Sequence, residues 1–206
     1  MAESAEQVHA RVMAAADEGG RMPLPSVAEW DVFPWEVVDG AMAAKPLAAP
    51  APEKPRMGED GVDCTICTPE PAGLIWTNDR WRLKHLAERS GLPLVVMLEP
   101  WEHLDFDDLD DAMAAEYGRL AVRIARIVEG LPNIGRCHVM RVGDGAEHLH
   151  VWFMARTAGL PSVLGSFAVD WDDILPAGPE EPWREDLVAL ATALASYDGR
   201  VVGLDD

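Results

Sequence analysis

The chain has 206 residues, 36 of them acidic and 17 basic, for a formal net charge of -19. A field of that sign repels polyanions, so neither a long nucleic acid nor an anionic membrane is an expected partner, although one locally positive pocket still admits a small phosphorylated ligand. With 49% hydrophobic residues and no apolar run of the roughly 18 residues a membrane span needs, it reads as a globular domain with an extended arm, or a domain and a half.

The segment Met1-Ala2-Glu3-Ser4-Ala5-Glu6 has neither the basic nor the apolar region of a secretory signal, which predicts a cytoplasmic protein. Three cysteines make no disulfide framework.

In chain order, residues 4–18 predict a short helix with Ala5, Val8, Val12 and Ala15 on one stripe, stopped by Gly19-Gly20. Trp30, Phe33 and Trp35 follow among prolines, and large aromatics are expected to pack on the main body. From Ala43 to Gly61 the composition turns to Ala, Pro, Lys and Glu, which reads as a linker or strap. Short strands are expected near 73–77 and 80–87, then a buried one at 94–98.

The acidic run Asp105–Asp111 fits a helix start, where carboxylates cap free N–H groups and complement the macrodipole. The helix after it places Met113, Tyr117, Leu120, Ile124 and Ile127 on a buried stripe. Arg119, Arg123 and Arg126 form a separate solvated one near Glu116. Gly130–Asn133 ends it. A strand near 135–142, the turn Gly143-Asp144-Gly145 and a strand over 147–154 then read as a hairpin. Beyond Trp171-Asp172-Asp173 and prolines 176, 179 and 182, a last helix buries Trp183, Leu187, Leu190, Leu194 and Tyr197. Three regions result: an N-terminal helix and arm over 1–60, a central domain over 62–156, and a C-terminal extension over 157–206 packed on it.

Two patterns carry chemistry. Cys64-Thr65-Ile66-Cys67 is followed by Thr68-Pro69-Glu70-Pro71, which cannot start a regular helix, so the pair fits a metal knuckle better than a redox site. Zinc takes four ligands and histidine is the natural source of two more, but spacing does not choose among His9, His85, His103, His138, His148 and His150. Cys137, in a predicted strand, reads as a small core residue. The second pattern is the stretch from Glu147 to Met154. Along a strand, His148, His150 and Trp152 would share one face, with Leu149, Val151 and Phe153 on the other.

Over residues 62–156 the order of these motifs resembles the histidine-triad (HIT) superfamily of nucleotide hydrolases and transferases. The resemblance is carried by Cys64-x-x-Cys67, by Pro100-Trp101-Glu102-His103 after the strand at 94–98, and by His148-Leu149-His150-Val151-Trp152-Phe153-Met154-Ala155-Arg156. It implies an α+β fold, an antiparallel sheet of about five strands with one long helix packed on it, here with an N-terminal arm and a C-terminal helix added. It implies a structural zinc held by Cys64, Cys67, His103 and His148, which would clip the arm before residue 64 onto the sheet. It also implies that His150 attacks the α-phosphorus of a nucleotide to give a covalent nucleotidyl-histidine. The N–H groups of the Gly143-Asp144-Gly145 turn would face the phosphates, and dimers are common in the superfamily.

Three positions depart from that pattern. Trp152 stands where hydrolytic members have a third histidine, and an indole cannot deliver a proton as imidazolium can. Asp144 stands about where many members have a glutamine, so Arg141 or Arg156 would have to offset its charge. The family's Pro-Arg ending is Ala155-Arg156 here. Two functions are therefore expected: a nucleotide phosphohydrolase or nucleotidyltransferase acting through His150, or a catalytically inactive zinc-stabilised protein that binds a ligand or partner, with Trp152 filling the cleft.

Overall fold

A computed structural model describes residues 1–204. Six strands form one antiparallel sheet: β3 (Leu74–Thr77), β4 (Trp81–His85), β5 (Leu94–Pro100), β6 (Ile134–Met140), β7 (Val151–Thr157) and β8 (Arg200–Val201). Their order is β6-β7-β5-β4-β3-β8. The register sets Leu98 opposite Val151, Val96 opposite Phe153 and Leu94 opposite Ala155. Because facing residues of neighbouring strands share a side, these six form one apolar surface. The long helix α2 (Asp111–Gly130) and the C-terminal α4 (Glu180–Ala195) cover it. This is the α+β architecture expected, with β8 and α4 added at one end.

Helix α2 begins where the acidic run predicts, the Asp110 carboxylate accepting from the Met113 N–H at 2.7 Å. Its buried residues are Met113, Glu116, Leu120, Ile124 and Val128, at helical steps of three and four. Glu116 therefore turns inward, to Asn78 at 2.8 Å and Arg80 at 2.6 Å, and does not serve the helix's own arginines. Cys137 on β6 is half-buried, its thiol pushed up to about 12 by burial and by Glu129.

The opposite face of the sheet carries Val95, Met154 and Trp152. It is covered by α3 (Phe167–Ile174), together with Val12 of α1 (Ala5–Ala15), Val163 and Leu175. Helix α3 was not expected, since the polar run Trp171-Asp172-Asp173 hides its short apolar side. Helix α1 starts at the capping box closed by Ser4 and Gln7 but ends at Ala15, earlier than predicted, because the Asp17 carboxylate accepts from the Gly19 and Arg21 N–H groups and turns the chain there.

The arm departs most from expectation. It contains a hairpin of β1 (Trp35–Val38) and β2 (Ala41–Ala44). Its turn is Asp39-Gly40, with φ of 51° and 79°, the two positive values that a tight two-residue hairpin turn needs. Trp30 is 57% exposed and Trp35 46%, while Phe33 is half-buried; Phe33 and Trp35 line a cleft with Phe167, Trp171 and Ile174 of α3, so the expected packing is partial. Tyr197 lies beyond α4 and is exposed. No helix among the described residues is long and apolar enough to cross a membrane.

Strand β7 begins at Val151, so His148 and His150 precede it, and residues 141–150 form a long connection rather than a tight hairpin. The cause is tertiary: the Leu149 N–H is taken by the Leu104 carbonyl and the Glu147 N–H by that of Met57, which diverts the chain from the β6 ladder.

Candidate functional site

Cys64, Cys67, His103 and His148 come together, one ligand atom from each lying within 4.8 Å of the others. The Cys67 sulfur is 3.3 Å from Nδ1 of both His103 and His148, and the Cys64 sulfur is 3.7 Å from Nδ1 of His148. A tetrahedral zinc with ordinary Zn–S and Zn–N bonds needs sulfur–nitrogen edges of about 3.5 Å, so the spacing fits.

The tautomers fit as well. Nε2 of His148 donates to the Pro100 carbonyl at 3.0 Å, and Nε2 of His103 donates to Glu147 at 3.1 Å. Each ring thereby turns its Nδ1 lone pair toward the thiols, the usual role of groups behind metal-bound histidines. Glu147 also holds the His103 pKa above its ordinary value, while burial lowers that of the fully enclosed His148. Burial and the neighbouring Cys64 push the Cys67 thiol up to about 11. For Cys64 burial acts upward too, but hydrogen bonds from Cys67, Ile66 and His103 outweigh it and the pKa falls. The two shifts have opposite signs, so Cys64 gives up its proton more readily than Cys67, and a divalent cation would draw off both.

The cysteine loop is anchored from beneath. Arg82 on β4, 1% exposed, donates to the carbonyls of Ile66 at 2.5 Å and Thr68 at 3.2 Å. Its Nε bonds Glu99 at 3.0 Å, and Lys84 lies 2.7 Å from the other Glu99 oxygen. A buried charge needs such partners, and here they tie the loop to the centre of the sheet.

His150 is half-buried just before β7. Its Nδ1 is 2.9 Å from the His148 carbonyl oxygen, which can only accept, so Nδ1 carries the hydrogen and Nε2 keeps its lone pair when the ring is neutral. The Trp152 ring stands edge-on to it, with centroids 6.4 Å apart. In the ladder Trp152 faces Met97 on one side and Met140 on the other, and it packs against the cluster under α3.

The remaining sequence-predicted residues divide. Arg141 is bound to Asp105 and does not offset Asp144, which is exposed on the Gly143–Gly145 turn. Arg156 is six residues along β7 from His150, about 20 Å at strand rise, so it is not part of this cluster. Two residues that sequence reasoning missed are Glu147, behind His103, and Arg56. The Arg56 guanidinium reaches Asp105 at 2.5 Å, the Gly143 carbonyl at 3.3 Å and Glu147 at 3.4 Å. Burial pushes the Asp105 carboxyl up, but its bonds to Arg56, the Phe106 N–H and Arg141 outweigh that and hold it below its usual range. A lone arginine in an Ala/Pro-rich strap was the available signal.

No protein-family model and no curated protein matches the sequence. Among solved structures, the chain is similar to a Zn-bound histidine triad family protein from Mycobacterium smegmatis, at 20% identity and a TM-score of 0.44, over 62% of this chain and 87% of that one. It is similar to a hypothetical histidine triad nucleotide-binding protein from Sulfolobus tokodaii, at 12% identity and 0.46, over 62% and 86%. It is also similar to a uridylyltransferase, at 18% identity and 0.41, over 62% of this chain and 42% of that one.

Proposed function

We propose that this is a zinc-stabilised, HIT-like protein that hydrolyses or transfers a nucleotidyl group at an α-phosphorus through His150. The observation that carries the reading is the bond from His150 Nδ1–H to the His148 carbonyl, which leaves the Nε2 lone pair of this half-buried ring without a partner among the described residues. Cys64, Cys67, His103 and His148 would hold the zinc, and its contribution is structural because all four positions are filled by the protein.

In the reaction, His150 Nε2 attacks the α-phosphorus and forms a P–N bond as the P–O bond to the leaving group breaks. Charge on the phosphoryl oxygens would be met by N–H groups of the Gly143-Asp144-Gly145 turn. Water or a second acceptor then attacks phosphorus, the P–N bond breaks, and the imidazole is restored while the acceptor's proton leaves to solvent. Trp152 supplies no proton, so the reading selects substrates whose leaving group departs as a phosphate.

The position of Trp152 favours the second reading, a zinc-stabilised protein that binds a nucleotide-type ligand without turning it over. Its indole packs against the cluster under α3, in register with Met97 and Met140, and Arg141 is already committed to Asp105. The test is incubation with dinucleoside polyphosphates, nucleoside phosphoramidates and nucleotide sugars. Turnover abolished in His150→Ala supports catalysis, and binding without turnover supports the second reading.

A further inference from the structure

Residues 56–58 of the arm run between the cysteine loop and the Gly143–Gly145 turn and bond both. On one side Met57 Sδ accepts from the Thr65 N–H at 3.3 Å and hydroxyl at 3.4 Å. Gly58, buried at φ 79°, lies so close to Cys64 that an added Cβ would be 2.9 Å from its Cβ and 3.1 Å from its sulfur. On the other side the Met57 N–H donates to Gly145 at 3.0 Å and the Glu147 N–H donates to Met57 at 3.1 Å. Arg56 adds its bonds to the Gly143 carbonyl and to Glu147, the carboxylate that orients His103.

We infer that Arg56 is a positioning residue that couples the metal centre to the Gly143–Gly145 turn, so that filling the site orders the strap and the turn together. The inference rests on the zinc part of the function proposed above, and not on catalysis. The route is physical at each step. A metal fixes Cys64 and His103; Cys64 seats Gly58 and His103 fixes Glu147; Gly58 and Glu147 hold Met57 and Arg56; these hold the carbonyls of Gly143 and Gly145. Groups behind a metal ligand typically change its affinity 10- to 100-fold. Linkage requires the coupling to act in both directions.

The experiment is hydrogen exchange on the full chain, zinc-loaded and chelated, with zinc affinity measured by chelator competition. In the parent chain, peptides covering 54–62 and 141–148 should lose protection together on chelation, while those of β4 and β5 keep theirs. In Arg56→Ala, 141–148 should be unprotected with or without zinc, and zinc affinity should fall roughly tenfold. Arg56→Lys, which keeps a donor for Asp105 but not the fork, should recover part of both. Gly58→Ala should weaken zinc binding independently. Protection of 141–148 that ignores zinc overturns the inference, as does parental zinc affinity in Arg56→Ala. A chain that takes up no zinc overturns both this inference and the zinc part of the proposed function. Absence of turnover with the coupling intact overturns only the catalytic reading.

Discussion

The Nδ1–H of His150 is bonded to the carbonyl oxygen of His148, while the His148 side chain is turned into the cysteine cluster. The residue that would bind metal therefore also orients the candidate nucleophile through its backbone. Holding His148 still fixes the tautomer and direction of His150, so a metal bound at His148 and the nucleophile proposed at His150 would depend on one another without sharing a bond.

The first prediction concerns the metal. Elemental analysis should find one zinc per chain, and Cys64→Ser should lose it. Chelation should lower stability by several kcal/mol, because binding energy at a site assembled by folding is folding energy. A chain without stoichiometric zinc, equally stable with and without chelator, would exclude the centre.

Arg82 is the anchor of the cysteine loop. Arg82→Ala would leave Glu99 fully buried with Lys84 alone and free the carbonyls of Ile66 and Thr68. Breaking a buried charge pair typically costs about 3–5 kcal/mol. Urea denaturation should show a loss of that size, and zinc affinity should fall with it; an unchanged midpoint would contradict the assignment.

Trp152→His puts an imidazole where the resemblance calls for one and removes an indole from between Met97 and Met140. Two opposite effects should appear. Stability should drop by about 2–3 kcal/mol from the cavity, while turnover of substrates with poorer leaving groups should rise. A variant that gains no activity on any of them favours the binding reading.

The Asp172 carboxyl, bonded by the Ser90 hydroxyl, is pushed up to about 6 by burial and by Asp173. The folded state then holds a proton that the unfolded chain releases at a lower pH. Stability is complete below the unfolded value of about 4 and declines as pH rises toward 6, by at most about 2–3 kcal/mol. Asp172→Asn should flatten stability over that interval and be more stable than the parent at pH 8. A pH profile identical to the parent's would refute it.

Much of this architecture is legible in the residues, and the failures have causes. Strands β3 to β6 and helix α2 follow from apolar periodicity and capping carboxylates, because those patterns reflect local packing. The Asp39-Gly40 hairpin was readable from its turn chemistry but was masked by the Ala- and Pro-rich sequence after it. His148 and His150 fit strand alternation, yet tertiary bonds to Leu104 and Met57 pull their segment off the ladder, and no local pattern encodes that. Cys-x-x-Cys marks half a metal site by spacing, but choosing His103 and His148 needed the resemblance. Arg56 and Glu147 act across the fold, 91 residues apart, and neither carries a motif.

The most direct test of the central claim is intact-mass spectrometry of the zinc-loaded chain after brief exposure to a dinucleoside polyphosphate, whose leaving group departs as a phosphate, quenched at alkaline pH to preserve a P–N bond. The account predicts a mass increase of one nucleotidyl group, located at His150 and absent from His150→Ala. No adduct and no turnover, in a chain that holds its zinc and binds the nucleotide, would contradict it.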